Sequence, residues 1–585
     1  MGYYNSQIYR VYDPIRREII KTRDAKFDEM TMVHSLNSNS DDEEVIVNKE
    51  SEYDIKERIY LSWDGSPESY GDATKGTEKE KWAHAMKEEY ESLDKNGTWE
   101  LVTRPEGKNV ISGKWTYRIK TDSNGNPVRF KARYVARGFT QIKGVDYDEV
   151  FAPTARSTSF RIVLCLAVKR SMECKQYDVE TAYLNGLIKE DIYIEQPEGF
   201  VKGDKVCKLK KAIYGLKQAG REWNTMITKF FKERNFRASE SDACLFFKRC
   251  EGRLIIILLY VDDLIVAADS GKDISDTVAD LKERFKIKEL GDLSFYLGVK
   301  LERDKNSLKL SQEAYRLKVL EKFKSYRHGR GLAPISKILD YTKEADNSKK
   351  DFPFQQILGS MMYLSTSTRP DITFAISFLS RHMKNPCEND EKMISGILTY
   401  LERTGNLELG YKKMVGVEDE LALDEMDVSI YCDSDWAGDK EDCASTSGYL
   451  CFVNGNLISW RSKKQDRAAQ SSTEAEYIAL YHGVQEAIWV KQLLEELDFK
   501  IKGGSVKVYQ DNKGAIHLAN NAGYSARTKH MALKYHFSRQ AVSRGDIKIE
   551  YVKTDNMLAD GLTKAIGGQN LEKLLAGINL KKAAS

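Results

Sequence analysis

LIIILLYVDDLIVAAD, at residues 254–269, decides the fold of this chain because two aspartates interrupt an otherwise apolar run. The run is too short to span a bilayer. Two β-rich stretches, residues 254–261 and 264–268, predict a hairpin with Asp262 and Asp263 at its tip. Burying ionised carboxylates is costly unless a partner compensates them, and hard divalent cations prefer carboxylate oxygen. The pair therefore predicts a cation site, with a solvent-facing Asp-Asp turn as the alternative.

Three further motifs precede the hairpin. They are KWTYRIKTDSNGNPVRFKARYVARGFTQ at 114–141, QYDVETAYLNG at 176–186 and LKKAIYGLKQAGREW at 209–223. In this order the four motifs resemble the reverse transcriptase of copia-type LTR retrotransposon Pol polyproteins, and the resemblance covers almost the whole chain. It implies a right-hand polymerase of α+β type with fingers, palm and thumb.

The resemblance implies that Asp178, Asp262 and Asp263 are catalytic and bind metal. Nucleotide addition is an in-line attack of a primer hydroxyl on an α-phosphate, which two Mg²⁺ ions about 4 Å apart can promote. Asp178 and Asp262 are predicted to bridge these ions, with Asp263 assisting and Mn²⁺ as a substitute for Mg²⁺. Their convergence requires two adjacent strands.

The resemblance also implies four substrate-binding residues. Lys131 and Arg133 match fingertip residues that bind the triphosphate, and alternation places both on one strand face; a solvated basic face is the alternative. Tyr183 resembles the aromatic gate that selects deoxynucleotides, and Gln218 resembles the glutamine that contacts the incoming nucleotide. The alternatives are a core aromatic and an ordinary exposed helix glutamine. Gly220 stands where the family usually has proline.

A second set of acids follows. It lies in VSIYCDSDWAGD at 428–439, SSTEAEYIAL at 471–480, VKVYQDNKGAI at 506–516 and YVKTDNMLADGLTK at 551–564. Acids on a strand, a helix, a strand and a helix resemble ribonuclease H, in which two Mg²⁺ ions activate water against the RNA strand of an RNA–DNA hybrid. Ser472 or Thr473 is predicted to cap the first of the two helices.

The ribonuclease H resemblance implies catalytic and metal-binding roles for Asp433, Asp511 and Asp560. The acid on the first helix is either Glu474 or Glu476. The family's E-x-x-A spacing favours Glu476. Residues two apart on a helix point about 200° apart, so the two glutamates cannot both face the same ions.

Composition bounds the remaining possibilities. The 585 residues are 31% charged and 41% hydrophobic, which is ordinary for a globular protein of several domains. The net charge is only +3, so affinity for nucleic acid must come from local patches such as the basic and aromatic stretch at 114–137. Nine cysteines without a CxxC pair indicate neither a zinc module nor a disulfide framework. No signal peptide or membrane-length apolar segment is evident.

The predicted fold class is multidomain, α+β and α/β, with the right-hand polymerase followed by a connection and a ribonuclease H-like domain. The predicted domains are an integrase C-terminal remnant at 1–30, a disordered acidic linker at 31–78, reverse transcriptase fingers, palm and thumb at 79–330, a connection at 331–427, a ribonuclease H-like domain at 428–570 and a tail at 571–585.

The predicted function is RNA-directed and DNA-directed DNA synthesis, with cleavage of the RNA strand of hybrids. The expected partners are an RNA template, a DNA primer, an RNA–DNA hybrid, dNTPs and other Gag and Pol products, without a membrane. The expected location is a cytoplasmic virus-like particle with nuclear entry. Two alternatives are a truncated or domesticated copy that binds nucleic acid without catalysis, and an RNA-dependent RNA polymerase, against which Tyr183 and the nuclease count.

Overall fold

The computed structural model describes residues 66–121, 127–335, 338, 352–413, 423–521 and 532–582, and the backbone of three N-terminal strands. These are β1 (Gly2–Asn5), β2 (Ile8–Asp13) and β3 (Glu18–Thr22), which pair antiparallel in that order. The alternating sequence YRVYDPIRREIIKTRDAKFDEM at 9–30 predicts two short strands and resembles the end of a copia-type integrase; β2 and β3 confirm the strands. The integrase resemblance stays a prediction, and residues 31–65 of the predicted linker lie outside the described residues.

The first large region contains the fingers and the start of the palm. Its elements are α1 (Tyr70–Lys75), α2 (Lys79–Lys95), β4 (Trp99–Thr103), β5 (Val110–Ile111), β6 (Gly113–Thr121), β7 (Pro127–Ala136), α3 (Ser157–Arg170), β8 (Glu173–Val179), β9 (Tyr193–Ile194) and β10 (Lys205–Leu209). The four-stranded sheet β4-β10-β9-β5 and the hairpin β6-β7 share one aromatic-rich core with α1 and α2.

The folded region begins earlier than the sequence predicts. Ser69 caps α1 by accepting a hydrogen bond from the Asp72 backbone N–H, and Ala73 of that helix is fully buried against the fingers core. The predicted linker at 31–78 therefore overruns the fold. The acidic composition of the predicted linker gave no indication of α1, a helix of six residues with a single buried position.

The palm is a six-stranded antiparallel sheet. Its further elements are α4 (Ala219–Glu233), β11 (Arg237–Ala238), β12 (Leu245–Cys250), β13 (Arg253–Tyr260), β14 (Asp263–Ala268), α5 (Gly271–Arg284) and β15 (Ile287–Asp292). The strand order is β11-β12-β13-β14-β8-β15. The predicted hairpin is confirmed as β13 and β14, whose register pairs Tyr260 with Asp263.

Burial on both faces explains why the hairpin is apolar along its whole length. Alternate residues of β13 and β14 enter two different cores: Ile256 and Leu258 pack with α3, whereas Ile257 and Leu259 pack with α4 and α5. The hairpin tip, where the apolar run stops, is the only part of the two strands that bears carboxylates. The two aspartates therefore lie at the edge of the palm and not inside it.

The region after the palm is interwoven with the end of the chain. It contains β16 (Phe295–Tyr296), β17 (Val299–Asp304), β18 (Ser307–Ser311), α6 (Glu313–Lys322), α7 (Phe354–Ser367), α8 (Thr373–Ser380), α9 (Glu388–Arg403) and β19 (Leu407–Lys412). Helix α6 shares a core with α7, α8 and α9, so it belongs with the predicted connection and not with the domain ending at 330. The predicted boundary at residue 330 is wrong. The contacts of α6 with α7, α8 and α9 join segments that are distant in sequence, so no local pattern reveals them.

The last region is the nuclease-like domain. Its elements are β20 (Glu425–Met426), β21 (Val428–Ser434), β22 (Ala444–Val453), β23 (Asn456–Ala468), α10 (Ser472–Glu496), β24 (Lys500–Ile501), β25 (Val506–Gln510), α11 (Lys513–Asn520), α12 (Ala532–Ser543), β26 (Ile547–Tyr551), α13 (Gly568–Gly577) and β27 (Leu580–Lys582). The mixed sheet β23-β22-β21-β25-β26 is antiparallel on one side of β21 and parallel on the other, and α10 packs against β21 and β22. Short 3-10 helices occur at Gly138–Thr140, Ala182–Asn185, Lys324–Tyr326, Pro370–Ile372, Thr554–Asn556 and Leu558–Leu562.

Residues 571–582 of the predicted tail at 571–585 are instead part of the fold. Strand β27 pairs with β19 and completes the sheet β16-β17-β18-β19-β27, and Leu571 and Leu574 of α13 are buried. In the parts of the chain that the structure describes, no helix is both long enough and apolar enough to cross a membrane.

Helix α3 joins the palm to the nuclease-like domain. Residues 159–169 of this helix are all buried, including two with charged side chains. The Arg161 guanidinium lies over the ring of Trp460 at 4.0 Å and donates to the carbonyls of Ser367, at 3.0 Å, and Ile458, at 3.4 Å. Lys169 donates to the carbonyl of Glu425. One continuous hydrophobic core therefore runs from the palm sheet through α3 into the nuclease sheet.

Candidate catalytic sites

The three predicted polymerase acids lie at the ends of adjacent palm strands. Asp263 opens β14 and is paired in register with Asp178, the penultimate residue of β8. The backbone N–H of Val179 donates to the carbonyl of Asp262 at 2.8 Å, which attaches the hairpin tip to β8. The strand ends are adjacent, as convergence of the three carboxylates requires. Within the described residues, however, only the acids of the nuclease-like domain bring three carboxylate oxygens within 4.8 Å of one another.

Residues of the fingers reach the Asp262 carboxylate. The Tyr214 hydroxyl donates to Asp262 Oδ2 at 3.1 Å, and an Arg133 guanidinium nitrogen lies 3.9 Å from the same oxygen. The Arg133 guanidinium also stacks on the Tyr214 ring at 4.3 Å, and the ring of Tyr183 lies 4.5 Å from that of Tyr214. The structure thus brings together three of the predicted site residues around Tyr214. The sequence analysis did not single out Tyr214, and only its place inside the motif at 209–223 marks it.

Lys131 and Arg133 lie on the same face of β7, as alternation predicts. Ala132 and Tyr134 are buried on the opposite face, in the fingers core. The Arg133 side chain is 24% exposed and is directed toward Asp262, so it is not part of a freely solvated basic face. Burial raises the pKa of Glu89 on α2, and the positive charges of Arg133 and Lys131 oppose this rise. Glu89 is therefore a half-buried carboxyl group beside the basic pair, and its proton affinity is raised by burial.

Gln218 lies inside the protein and not on an exposed helix face. It is 1% exposed, its amide nitrogen donates to the Asp146 carbonyl at 2.8 Å, and its amide oxygen accepts from Gln141 at 3.1 Å. Gln141 in turn accepts from the Lys217 backbone N–H at 2.8 Å. Gln218 thus holds the loop after β7 against the loop before α4, and both ends of its amide are engaged in these contacts.

Gly220, where proline is usual in the family, occupies a tight position in the first turn of α4. A Cβ at this residue would lie 2.8 Å from the Cβ of Ala152 and 3.9 Å from the Tyr183 hydroxyl oxygen. A larger residue would require the Ala152 loop to move. The glycine therefore lets that loop approach α4 beside Tyr183.

The nuclease-like domain brings three of its four predicted acids into one group. Carboxylate oxygens of Asp433, Glu476 and Asp511, from β21, α10 and the end of β25, lie within 4.8 Å of one another. Asp433 is 1% exposed, and its Oδ1 is buried without a hydrogen-bond partner. The Ser434 backbone N–H donates to Glu476 Oε2 at 3.1 Å. A buried carboxylate oxygen with an open coordination position, beside two further carboxylates, fits a hard divalent cation.

Glu474 has a different role. Ser471 caps α10 by accepting from the Glu474 backbone N–H at 3.2 Å, and the Glu474 carboxylate accepts from the Gln470 backbone N–H at 2.9 Å. The cap is therefore Ser471, and the prediction of Ser472 or Thr473 is wrong by one or two residues. Of the two helix acids, Glu476 is the one that reaches the carboxylate group.

Asp560 stands beside the group of three and not within it. It lies on the 3-10 helix Leu558–Leu562, and its Oδ1 pairs with Lys564 Nζ at 2.8 Å. Lys564 Nζ also lies 3.5 Å from Asp433 Oδ2, to which the Thr563 hydroxyl donates. Lys564 and Thr563 are functional candidates that the sequence analysis missed, although both close the motif at 551–564. A lysine four residues after an acid on a short helical segment was the available signal.

Burial and mutual repulsion perturb the acids of this group. Desolvation raises the pKa of Asp433 well above its usual range, and the charges of Asp560 and Asp511 add to the rise while Lys564 opposes it. Desolvation also raises the pKa of Glu476, and the charges of Asp433 and Asp511 reinforce this. A bound cation would stabilise the ionised form of carboxylates that are buried and repel one another.

Comparisons with known proteins identify a family and several relatives of the chain. Residues 96–336 match the family model described as reverse transcriptase (RNA-dependent DNA polymerase). The chain is 39% identical over 542 residues to the retrovirus-related Pol polyprotein from transposon TNT 1-94 of Nicotiana tabacum, covering 90% of this chain and 40% of the relative. It is 32% identical over 315 residues to the putative transposon Ty5-1 protein YCL074W of Saccharomyces cerevisiae, covering 53% of this chain and 99% of that protein.

A solved structure of a foamy viral protease-reverse transcriptase in complex with double-stranded DNA aligns with a TM-score of 0.42 and 11% identity, over 80% of this chain and 69% of that one. The chain spans 40% of the length of the tobacco polyprotein, so it corresponds to one part of such a protein. On the strength of the relatives that it matches, the chain belongs to the copia-type retrotransposon Pol polyprotein family and contains its reverse transcriptase and ribonuclease H-like region.

Proposed function

We propose that this chain is an RNA-directed and DNA-directed DNA polymerase. The observation that carries the proposal is the placement of Asp178 and Asp263 side by side on β8 and β14, with Asp262 contacted by Arg133 and Tyr214. Acids from the palm and a cation from the fingers thus face one another. A nucleoside triphosphate with its cations would displace the contact between Arg133 and Asp262 and bind between the two groups.

In this proposal the residues of the polymerase site have different roles. Asp178, Asp262 and Asp263 would hold divalent cations, since carboxylate oxygens suit Mg²⁺ and also Mn²⁺. Arg133 and Lys131 would neutralise the triphosphate. A pair of divalent cations, at this site or at the nuclease site, supplies the Lewis acidity that activates the attacking oxygen and stabilises the leaving one.

Tyr183 would select the sugar. Its ring is fixed against that of Tyr214, whose hydroxyl reaches Asp262, so an aromatic face stands next to the catalytic hairpin. A 2′-hydroxyl on the incoming nucleotide would clash with a ring held in this way. Gln218 would act indirectly, by holding in place the loop that carries Tyr214.

We further propose that the nuclease-like domain cleaves the RNA strand of RNA–DNA hybrids. Support comes from the group formed by the buried Asp433 and Glu476 and the half-buried Asp511, with Asp560 beside it. These carboxylates would hold the cations, and their raised proton affinity would be lowered again once cations bind. The template, primer and hybrid are the substrates of this proposal, in a cytoplasmic virus-like particle.

The test is extension of a DNA primer annealed to an RNA template, with dNTPs and Mg²⁺, together with cleavage of a labelled RNA strand in a hybrid. The proposal predicts that the chain performs both reactions and that a chelator stops both. A chain that binds the primed template and yet performs neither reaction, in Mg²⁺ or in Mn²⁺, would be a non-catalytic nucleic-acid-binding copy.

A further inference from the structure

The turn that carries the polymerase acids is held in an unfavourable backbone conformation. Val261, directly before Asp262, has a φ of +58°. A β-branched residue rarely adopts this left-handed region, because its Cβ crowds the backbone, and such strain persists only where the surroundings impose it. Some neighbouring group must therefore keep the Val261 peptide in place.

The structure shows which group does so. The indole N–H of Trp223 donates to the Val261 carbonyl oxygen at 2.6 Å. Trp223 is 1% exposed and lies on α4, where its ring packs edge-to-face against Phe285 at 5.4 Å. A buried indole N–H without an acceptor is energetically costly. The hydrogen bond therefore satisfies the Trp223 indole and also restrains the Val261 carbonyl.

The next carbonyl in the turn is held from the other side. Asp262 O accepts from the Val179 backbone N–H at 2.8 Å, one residue after Asp178. The two successive carbonyls of the turn, at 261 and 262, are thus bonded to α4 and to β8 respectively. If the bond from Trp223 were lost, rotation at Val261 toward extended backbone would turn the Asp262 side chain away from Asp178.

We propose that Trp223 is a positioning residue of the polymerase site, which keeps Val261 left-handed and thereby aims the Asp262 carboxylate. The inference rests on the proposed polymerase function. It assigns to α4 a task beyond packing, because the donor that matters is a single N–H. The helix that carries this indole also begins beside Gln218, so the same element braces the nucleotide loop and the catalytic turn.

The test compares W223F with the unchanged chain in two backgrounds, one with Val261 and one carrying V261G. Phenylalanine keeps an aromatic ring and removes the N–H. With Val261 present, W223F is expected to lower kcat for primer extension about tenfold, or about 1.4 kcal/mol in activation free energy, with a smaller change in the dNTP KM. In the V261G background the same substitution should cost less than about threefold, since glycine adopts positive φ without a restraint.

The matched control is W489F, which removes another buried indole donor. Trp489 is also 1% exposed, and its N–H donates to the Ser241 carbonyl at 3.1 Å, at the contact between α10 and the palm. Any effect of W489F should be the same in both backgrounds. An effect of W223F that is equally large with and without V261G would overturn the inference, because a purely structural loss does not depend on residue 261.

Two additions keep the test decisive. If W223F does not fold, β-(3-benzothienyl)alanine at position 223 replaces the N–H by sulfur in a ring of the same size. A second readout is Mn²⁺ affinity followed by electron paramagnetic resonance in an E476Q background, which W223F should weaken and V261G should restore. If V261G restores Mn²⁺ affinity but the chain does not extend a primer, the inference is supported and the proposed polymerase function is contradicted. If W223F leaves the Mn²⁺ affinity unchanged, the inference is contradicted.

Discussion

The ammonium of Lys564 lies 3.5 Å from the buried carboxylate of Asp433, so the nuclease-like site contains a cation of its own. Burial would lower the pKa of Lys564, but the attraction of Asp433 and of Asp560 outweighs this effect and raises it. Lys564 is therefore charged throughout the physiological range. It opposes the rise in proton affinity that burial imposes on Asp433 and Glu476.

Replacing Lys564 by methionine should slow hybrid cleavage about tenfold, or about 1.4 kcal/mol in activation free energy, and shift its pH profile to higher pH. The reason is that the pKa of Asp433 and of Glu476 rises further without the ammonium, so cation binding requires a higher pH. Rates measured from pH 6 to pH 9 test this. K463M is the control, since Lys463 pairs only with Asp466 at 3.4 Å on the surface. A uniform loss at every pH would contradict the electrostatic role.

Divalent cations should stabilise the fold more at high pH than at low pH. The pKa values of Asp433 and Glu476 are raised by burial, so without cations the folded state binds protons more tightly than the unfolded one, and the free energy of unfolding falls as the pH rises above about 4. Mg²⁺ binds the deprotonated cluster. The gain in Tm with Mg²⁺ should therefore be larger at pH 8 than at pH 5.5, and E476Q should reduce the difference. Equal gains at both pH values would count against the cluster as the binding site.

Asp262→Asn should abolish primer extension, by on the order of a thousandfold or about 4 kcal/mol, and leave hybrid cleavage nearly intact. The amide cannot supply the negative charge that cations require, and the hairpin tip belongs to the palm sheet, whereas the carboxylate group of the nuclease-like domain lies on β21, on α10 and at the end of β25. Both reactions are measured on the same preparation. A matching loss of cleavage in a folded variant would sink the assignment of two separate sites.

Tyr183→Ala should let ribonucleotides compete with deoxynucleotides, by about tenfold in the ratio of kcat/KM for dATP and rATP. Removing the ring that packs on Tyr214 opens space for a 2′-hydroxyl. Tyr214→Phe is the companion variant, since it keeps the ring contact and removes only the hydroxyl bonded to Asp262. If the ratio stays unchanged in Tyr183→Ala, the ring serves packing alone.

Glu476→Gln should stop hybrid cleavage, whereas Glu474→Gln should retain it and cost about 1 kcal/mol of stability or less. The first carboxylate belongs to the group with Asp433 and Asp511, and the second accepts from the Gln470 backbone N–H beside the Ser471 cap of α10. Cleavage rates and urea unfolding measured on both variants separate the two roles. A dead Glu474→Gln with an active Glu476→Gln would reverse the assignment.

The palm hairpin and the acids at its tip could be predicted from sequence because both depend on local pattern. An apolar run buried on two faces can end only where a polar tip emerges, and Asp262 and Asp263 mark that place. Lys131 and Arg133 share a face for a similar reason, the period of a strand. For the remaining acids, the family motifs predicted the strand or helix at which each one lies.

What could not be predicted depends on contacts between distant segments. The sequence predicts either a nucleotide contact or an exposed helix position for Gln218, and neither interpretation shows its burial, which arises from the loop around Gln141, 77 positions earlier. The end of the chain reads as a tail because nothing local shows that β27 pairs with β19. Tyr214 and Lys564 gain their roles only when the fold brings them to Asp262 and to Asp433.

The burial of α3 also limits how such proteins can evolve by exchange of parts. Arg161 donates to the carbonyl of Ser367, in the connection, and to that of Ile458, in the nuclease-like domain, so backbone from both later regions completes the surroundings of α3. A recombinant that took its nuclease-like domain from another element would remove the Ile458 carbonyl from the buried Arg161 guanidinium unless the new surface supplied an equivalent acceptor. Exchange of that domain alone is therefore expected to destabilise the fold unless substitutions at the shared surface compensate.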